Sequence, residues 1–252
     1  MKGFRDESRV VLRVTGADAR VLLQDLVTND LDRLEADGIV YAALLTPQGK
    51  FLFDFFVSLD GEAMLIDVMA DRAPALAQRL AMYKLRRDMT IEATDTPVWL
   101  IWGEAPDGGL ADPRAAALGW RVYGEASPEA ADPSDYAALC VAEGVPMTGA
   151  DLVADDSYIL EMDFERLNGV DFRKGCYVGQ EVTARMKHKT TLRKGLARVS
   201  VEGEAATGDA IEADGKPAGR LGTVSGGEAL AHLRFDRAEG EMTAGAAKIR
   251  RL

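Results

Sequence analysis

Cysteine and histidine are scarce in this chain of 252 residues, which contains two of each. The cysteines, Cys140 and Cys176, are too few for a disulfide framework and lack the spacing of metal ligands. Two histidines do not supply an ordinary zinc site from this chain alone. We therefore expect no metal site, and free thiols are typical of a reducing compartment.

Long apolar runs are also missing. No stretch approaches the roughly 20 residues that span a bilayer, so we expect no membrane contact. The opening residues, M-K-G-F-R-D, lack the apolar core of a secretory signal. The composition, 47% apolar and 28% charged, is typical of a soluble globular protein. Together these features predict a cytoplasmic protein.

The most informative segment is residues 173–185, which read R-K-G-C-Y-V-G-Q-E-V-T-A-R. Gly175 and Gly179 bracket Cys176, and glycine lets a backbone bend sharply or approach a ligand closely. Two cations stand directly before Gly175. Nearby positive charge favours the thiolate, which is the nucleophilic and metal-binding form of cysteine. The pattern thus indicates a presented, reactive thiol.

The same segment has a purely structural interpretation. Free cysteines are usually core residues, so Cys176 can equally be buried in a turn that two glycines bound. Glu181 and Arg185 have the i, i+4 spacing of an ion pair and predict a helix beginning near Gln180. Cys140 falls on the inward face of another predicted helix, and we expect it in the core.

Basic residues are concentrated in one part of an acidic chain. Residues 166–198 contain nine Lys or Arg and two acidic residues, a net charge of +7, whereas the whole chain carries −11. Such a segment can concentrate a polyanionic small molecule, a nucleic acid or an acidic protein. It can equally be solvated surface whose cations pair with acidic neighbours.

Hydrophobic periodicity divides the chain into three regions. The first has a strand at 10–14 and an amphipathic helix at 19–26. The second has a hairpin of strands 39–45 and 51–57, then further strands crossed by a helix, which suggests an α+β layer. From Lys194 onward, short strands between glycine turns predict a small antiparallel barrel. These strands are 196–201, 209–212, 216–224 and 229–235.

A lone acidic residue lies in the second strand of the predicted hairpin. The run 51–57, F-L-F-D-F-F-V, is apolar on both strand faces except at Asp54. An unpaired buried carboxylate costs on the order of several kcal/mol. Asp54 should therefore hold a structural donor, face a polar ligand in a cavity, or lie at an exposed strand edge.

Residues 174–181, K-G-C-Y-V-G-Q-E, resemble the K-G-C-[FY]-x-G-Q-E motif of the YgfZ family. That family comprises the bacterial and mitochondrial folate-binding factors of iron–sulfur protein maturation. The resemblance runs through nearly the whole chain and includes shorter matching blocks. These blocks lie within 16–30, 41–54, 83–86, 160–161, 219–222 and 230–234.

The YgfZ family shares its fold with the T-protein of the glycine cleavage system, an aminomethyltransferase that uses tetrahydrofolate. The resemblance implies an α+β, three-domain, T-protein-like fold around a central funnel. Its parts would be a discontinuous first domain (1–46 plus 136–193) and a ferredoxin-like second domain (47–135). A small C-terminal antiparallel β-barrel (194–252) would complete it.

The resemblance further implies a folate-binding accessory factor for assembly or repair of iron–sulfur clusters in client enzymes, including tRNA-modifying ones. The cofactor would be tetrahydrofolate or a related folate. The residues expected to bind it are Asp54, Glu161 and Arg185. Cys176 would be the reactive or cluster-contacting group, with Lys174 tuning it. The remaining motif residues would shape its surroundings: Gly175, Tyr177, Gly179, Gln180 and Glu181.

The implied partners are folate and iron–sulfur client proteins, whereas direct nucleic-acid binding is not expected and the chain should be a monomer. The alternative is a tetrahydrofolate-dependent aminomethyl or one-carbon transferase. The T-protein usually reads G-G-x-x-D-D where residues 49–54 read G-K-F-L-F-D, so one of two paired carboxylates is a phenylalanine. The T-protein also lacks the Lys-Gly-Cys block. These departures favour the non-transferase role.

Overall fold

The computed structural model describes residues 1–189 and 191–252. These residues form two five-stranded sheets, one closed barrel and five α-helices. None of the helices in the described residues is long and apolar enough to cross a bilayer. The helices are α1 (Ala19–Leu26), α2 (Leu34–Asp37), α3 (Ala73–Lys84), α4 (Pro133–Ala142) and α5 (Gln180–Lys189).

The strands occur in runs that these helices separate. They are β1 (Lys2–Arg5), β2 (Arg9–Thr15), β3 (Ile39–Leu45), β4 (Phe51–Asp60), β5 (Ala63–Met69), β6 (Thr90–Thr94), β7 (Val98–Trp102), β8 (Leu110–Ala111), β9 (Trp120–Tyr123), β10 (Glu129–Ala130), β11 (Lys194–Glu202), β12 (Ala210–Ala213), β13 (Lys216–Ser225), β14 (Glu228–Arg234), β15 (Met242–Ala244) and β16 (Ala247–Arg251). Short 3-10 helices lie at Leu31–Arg33 and Ala116–Leu118.

The first sheet has the antiparallel order β3-β4-β5-β2-β6 and contains the predicted hairpin as β3 and β4. Successive side chains of a strand point to opposite faces of its sheet. Phe53, Phe55 and Val57 of β4 therefore share a core with α1 and α3. Asp54 and Phe56 lie on the opposite face, against the rest of the molecule. The sheet thus presents Asp54 to the interior.

The second sheet, β10-β1-β7-β9-β8, faces this side of the first sheet. Its strand β1 pairs antiparallel with β7 and parallel with β10. Arg121 of β9 reaches Asp67 of β5 in the first sheet, with 2.6 Å between Nη1 and Oδ2. A charged interior therefore lies between the two sheets.

The C-terminal region is a closed barrel in the order β11-β14-β13-β12-β15-β16. The four predicted strands correspond to β11 to β14. Two more strands, β15 and β16, close the barrel by pairing with β12 and β11. The predicted fold class, α+β with a small C-terminal antiparallel barrel, is confirmed.

The three-domain division can be placed on this architecture but stays a prediction. Strand β11 begins at Lys194, where the last domain was placed. The boundary between residues 46 and 47 falls in the turn joining β3 and β4. Because those strands pair with each other, that boundary separates two strands of one sheet.

Candidate functional site

Cys176 is exposed on the loop that leads into α5, whereas Cys140 is buried in α4. The sequence left open whether Cys176 was presented or part of the core, and the loop presents it. Cys140 is in the core as predicted, and burial raises the pKa of its thiol to about 11. The two cysteines therefore differ in access to solvent and reagents.

Gly179 has the special backbone geometry that the motif predicts. Its φ is +83°, and a Cβ there would lie 2.6 Å from the Thr46 carbonyl oxygen and 3.0 Å from the Gly49 Cα. The loop therefore packs closely against the turn between β3 and β4. Gly175 differs, because a Cβ there would meet no heavy atom within 4 Å among the described residues. The structure therefore explains why residue 179 is glycine, but it gives no such reason at residue 175.

Lys174 is buried and anchors the loop to α1. Its Nζ donates to the carbonyl oxygens of Gln24 at 2.6 Å, Val27 at 2.5 Å and Asn29 at 3.2 Å. The last carbonyls of a helix lack partners within the helix, and a cation suits that negative end. Burial lowers the pKa of Lys174 to about 8. The contacts of this amine point to α1, so its predicted tuning of Cys176 stays a prediction.

The other motif residues support the loop from within. Tyr177 is buried beside the core between the sheet and the chain segment after α4, and burial raises its pKa to about 12. Gln180 begins α5, and its Nε2 donates to the Gly175 carbonyl at 3.3 Å. Glu181 and Arg185 form the predicted ion pair at 2.9 Å, fully on the surface. Such exposed pairs add about 0–1 kcal/mol of stability.

The basic segment 166–198 is largely paired with acidic neighbours. Its ion pairs within residues 1–189 and 191–252 join Arg166 to Asp163, Arg173 to Asp171, Lys187 to Glu165, Arg185 to Glu181, Lys194 to Glu161 and Arg198 to Glu228. Of the two interpretations that the sequence allowed, the paired surface describes these cations. The segment therefore offers less uncompensated charge to an anion than its count suggests.

Asp54 is buried and both of its carboxylate oxygens are engaged. Oδ2 accepts from the Tyr41 hydroxyl at 3.0 Å, and Oδ1 accepts from the Thr148 hydroxyl. The buried-carboxylate rule is thus satisfied by two neutral donors. Asp54 also lines a cavity of about 170 Å³ between the two sheets. Asp54 therefore holds structural donors and also faces a cavity, so each of these two alternatives from the sequence is correct in part.

The lining of this cavity combines charged and aromatic side chains with apolar ones. Three arginines line it, namely Arg9, Arg114 and Arg121, together with Tyr136 and Cys140. The positive charges of these arginines are balanced by two buried carboxylates that do not themselves line the cavity. Asp67 pairs with Arg9 and Arg121, and Asp112 pairs with Arg114 at 2.7 Å. Burial alone raises the pKa of these two carboxyls, but the adjacent guanidiniums hold it below the usual value.

Sequence reasoning missed these arginines and their partners. Asp67 did carry a signal, since it is the lone acid in the apolar run A-M-L-I-D-V-M of β5. The argument that singled out Asp54 applies to it equally. The arginines carried no such signal, because arginine is common on protein surfaces.

The three predicted folate ligands lie in three different places. Asp54 lines the cavity between the sheets. Glu161 is buried against the barrel, where it contacts His232 Nε2 at 3.1 Å and Lys194 Nζ at 3.4 Å. Arg185 is on the surface of α5. Neither Glu161 nor Arg185 is among the described residues that line the Asp54 cavity.

Comparison with known proteins places this architecture. Residues 193–251 match the family model described as CAF17, C-terminal beta-barrel domain. The mouse and human mitochondrial iron–sulfur cluster assembly factor IBA57 are both 30% identical to the chain, over 95% of it and 79% of their own length. The chain belongs to the IBA57 family. A fungal IBA57 homolog from Pyricularia oryzae is 32% identical over 75% of the chain and 54% of its own length.

The IBA57 relatives confirm the coarser part of the YgfZ resemblance, an iron–sulfur assembly family, and these relatives carry the name IBA57 rather than YgfZ. A solved structure, glycine cleavage system aminomethyltransferase T from Bartonella henselae, matches with a TM-score of 0.76. The match covers 100% of this chain and 84% of the aminomethyltransferase chain. Its sequence identity of 12% means that it shows the fold alone. The T-protein-like fold is confirmed.

The predicted cytoplasmic location is wrong. The IBA57 relatives from mouse, human and fungi are named mitochondrial, which points to mitochondria instead. Free cysteines exclude an oxidising compartment but do not distinguish one reducing compartment from another. The free cysteines therefore did not justify choosing the cytoplasm over another reducing compartment.

Proposed function

We propose that this protein acts in the assembly of iron–sulfur clusters and that Cys176 is the group it presents to the cluster. Membership of the IBA57 family supports the role, and the exposed, anchored thiol supports the residue. A cluster is commonly held by four cysteine thiolates. This chain has two cysteines and buries one, so it offers one thiolate and a client or carrier protein supplies the other ligands.

Rescue of cells that lack their own IBA57-type protein tests this proposal. Cys176→Ser should fail to restore iron–sulfur enzyme activity while it expresses and unfolds like the parent. The matched control is Cys140→Ala, which removes the buried thiol and should rescue wherever the protein is folded. Full rescue by Cys176→Ser would show that the motif serves backbone geometry and that its thiol is incidental.

We propose radical enzymes that modify tRNA as one class of client, with the protein acting on the enzyme rather than on the nucleic acid. The proposal rests on the motif at 174–181. In the same rescue strains, modified tRNA nucleosides should fall with Cys176→Ser and return with the parent protein. Unchanged nucleosides alongside lost activity of other iron–sulfur enzymes would remove this client class and leave the assembly role intact.

We also propose that a folate binds beside Asp54, and the fold shared with an aminomethyltransferase motivates the idea. The lining fits folate chemistry, because a carboxylate suits ring N–H donors and arginines suit glutamate carboxylates. The size does not fit a whole folate, since the cavity of about 170 Å³ is below the roughly 300 Å³ of typical ligand sites. No step of cluster assembly is assigned to the folate.

Calorimetry with tetrahydrofolate tests this binding at low and high salt. The affinity should fall as salt screens the contacts between arginine and carboxylate. Asp54→Asn should weaken binding, and Arg250→Ala is the control because Arg250 lies on the surface outside the cavity. No heat at either salt concentration would reject folate. Loss of stability in Asp54→Asn with unchanged affinity would make Asp54 purely structural.

A further inference from the structure

A shallow groove of about 790 Å³ runs between α1 and the end of α3. Leu22 and Leu26 of α1 line one side with little exposed surface, at 3% and 4% exposed, and Tyr83 and Leu85 line the other side. Charged residues complete the lining, namely Asp18, Asp25, Lys84, Arg86 and Arg87. The groove contains the segment 83–86, Y-K-L-R, which no part of the proposed function uses.

Leu85 lines this groove in a conformation that destabilises the fold. Its side chain is 87% exposed, and its φ of +50° is one that glycine usually adopts at the end of a helix. A non-glycine residue in such a conformation is strained, and such strain clusters at functional sites. A glycine would avoid both the strain and the exposed apolar surface. The leucine side chain is therefore best explained by a contact it makes.

Exposed apolar side chains are concentrated around the same groove. Among the described residues, five large apolar side chains are exposed, and two of them are Met1 and Leu252 at the chain ends. The other three are Val21, Met82 and Leu85. Val21 lies one helical turn from Asp18 and Asp25, which line the groove, and Met82 adjoins Tyr83. Such a patch, rimmed by polar residues, is typical of an interaction site.

The uncompensated charge at the rim is positive, although the chain as a whole carries −11. Asp25 pairs with Arg87 at 3.4 Å, and the Asp18 carboxylate accepts from the Asp88 backbone N–H at 2.7 Å. Lys84 and Arg86 have no carboxylate within 4.0 Å in residues 1–189 and 191–252. The rim therefore complements carboxylates on a partner.

The groove and Cys176 are fixed to the same helix. Lys174 Nζ binds the carbonyls of Gln24 and Val27, at the end of the helix that supplies Leu22 and Leu26. Cys176 follows Lys174 by two residues, so their Cα atoms are at most about 7 Å apart. A protein seated in the groove would therefore contact the helix to which the Cys176 loop is anchored.

We propose that this groove binds an acidic amphipathic helix of the protein that shares the cluster with Cys176. Apolar residues at i, i+3 and i+4 would cover the exposed side chains of Val21, Met82 and Leu85, and flanking carboxylates would meet Lys84 and Arg86. The inference rests on the proposed function for the identity of the partner. The groove and its charges stand without it.

Fluorescence anisotropy of the full-length protein with a synthetic helical peptide tests the groove. The probe has leucines on one face and glutamates elsewhere, and its control replaces every glutamate with lysine. The acidic peptide should bind at least about tenfold more tightly, and binding should weaken as salt rises. Leu85→Ser and the double variant Lys84→Glu, Arg86→Glu should each weaken it about tenfold. The control Leu252→Ser removes an exposed leucine elsewhere and should change nothing.

Equal binding of both peptides, or binding that ignores Leu85→Ser, would overturn the proposal. Leu85→Gly adds a test that a folding defect cannot imitate. It should raise the melting temperature, because it relieves the positive φ, and should still lose peptide binding. Lower stability of Leu85→Gly would show that the leucine is held for packing and would also overturn it.

The groove and the proposed function fail separately. Cys176→Ser should keep peptide binding while it loses rescue, and Leu85→Gly should lose both. Full rescue by Cys176→Ser with groove-dependent peptide binding would reject the role of the thiol and keep the groove. Sedimentation tests whether a second copy of this chain occupies the groove instead. A dimer that Leu85→Ser dissociates would show that it does and would overturn the proposal.

Discussion

At the scale of single residues, exposure separates two cysteines that the sequence distinguishes only by their neighbours. Cys176 is exposed and Cys140 is 1% exposed, with burial raising the pKa of the Cys140 thiol to about 11. Thiolate is the form that reacts with alkylating agents, and at neutral pH a thiol with that pKa is almost wholly protonated.

We expect iodoacetamide at neutral pH to modify Cys176 in the native protein and to leave Cys140 unmodified. Mass spectrometry of tryptic peptides measures both sites in one sample. In urea, both thiols should react at similar rates, which controls for intrinsic reactivity. Modification of Cys140 at the rate of Cys176 in the native protein would contradict the burial of α4.

Lys174 links the motif to stability through its proton. Burial lowers its pKa to about 8 from 10.5, so between pH 8 and 10.5 the unfolded chain binds more protons than the folded protein. Stability therefore rises with pH across that window, and the cost of the buried charge is fully present below pH 8.

We expect the free energy of unfolding of the parent, minus that of Lys174→Met, to grow as pH rises from 8 to 10.5. Urea unfolding at several pH values measures both proteins, and titration of all other groups cancels in the difference. A difference that shrinks with pH would mean that the three carbonyl contacts hold the protonated amine more strongly than burial opposes it.

At the scale of elements, the sequence predicted the strands whose signal lies within a few neighbouring residues. The β3–β4 hairpin and strands β11 to β14 followed from alternation and turn residues. Strands β15 and β16, M-T-A and A-K-I-R-R, were missed because they are short and are defined by pairing with distant strands that closes the barrel. Closure is a property of the barrel and has no local signal.

The two motif glycines offer a matched test at this scale. Gly179→Ala should destabilise the protein by on the order of 1–3 kcal/mol, because φ is +83° and the new Cβ would meet Thr46 and Gly49 backbone. Gly175→Ala has neither constraint and should change stability by less than about 0.5 kcal/mol. Urea midpoints measure both, and equal effects would contradict the close approach of the loop to the turn.

At the scale of the whole molecule, the candidate site depends on contacts that no sequence window contains. Asp54 meets Thr148 across 94 positions, and Lys174 meets Val27 across 147. The motif was recognisable because its residues are contiguous, so Cys176 was found from sequence. The cavity was not, because its arginines come from separate parts of the chain, namely β2, β9 and the turn after β8. The groove beside α1 was missed for the same reason.

The pair between Arg121 and Asp67 gives the test that belongs to this scale, because it joins the two sheets. Arg121 is 2% exposed, donates from Nη1 to Asp67 at 2.6 Å and stacks over the Phe56 ring at 3.6 Å. Removing one partner of a buried pair costs about 3–5 kcal/mol when the other charge is left without a partner. Asp67 keeps Arg9 as a partner, and methionine keeps much of the apolar volume, so Arg121→Met should destabilise the protein by less than this range.

Arg250→Met removes a surface cation paired with Glu241 at 2.9 Å, and it should change stability little because solvent screens exposed pairs. The double variant Arg121→Met, Asp67→Asn leaves Arg9 without its carboxylate partner, so it should be less stable than Arg121→Met alone. Thermal and urea unfolding of all four proteins measure these differences. Equal losses for Arg121→Met and Arg250→Met would mean that water reaches the space between the sheets, and that the sheets are held together by their apolar contacts instead.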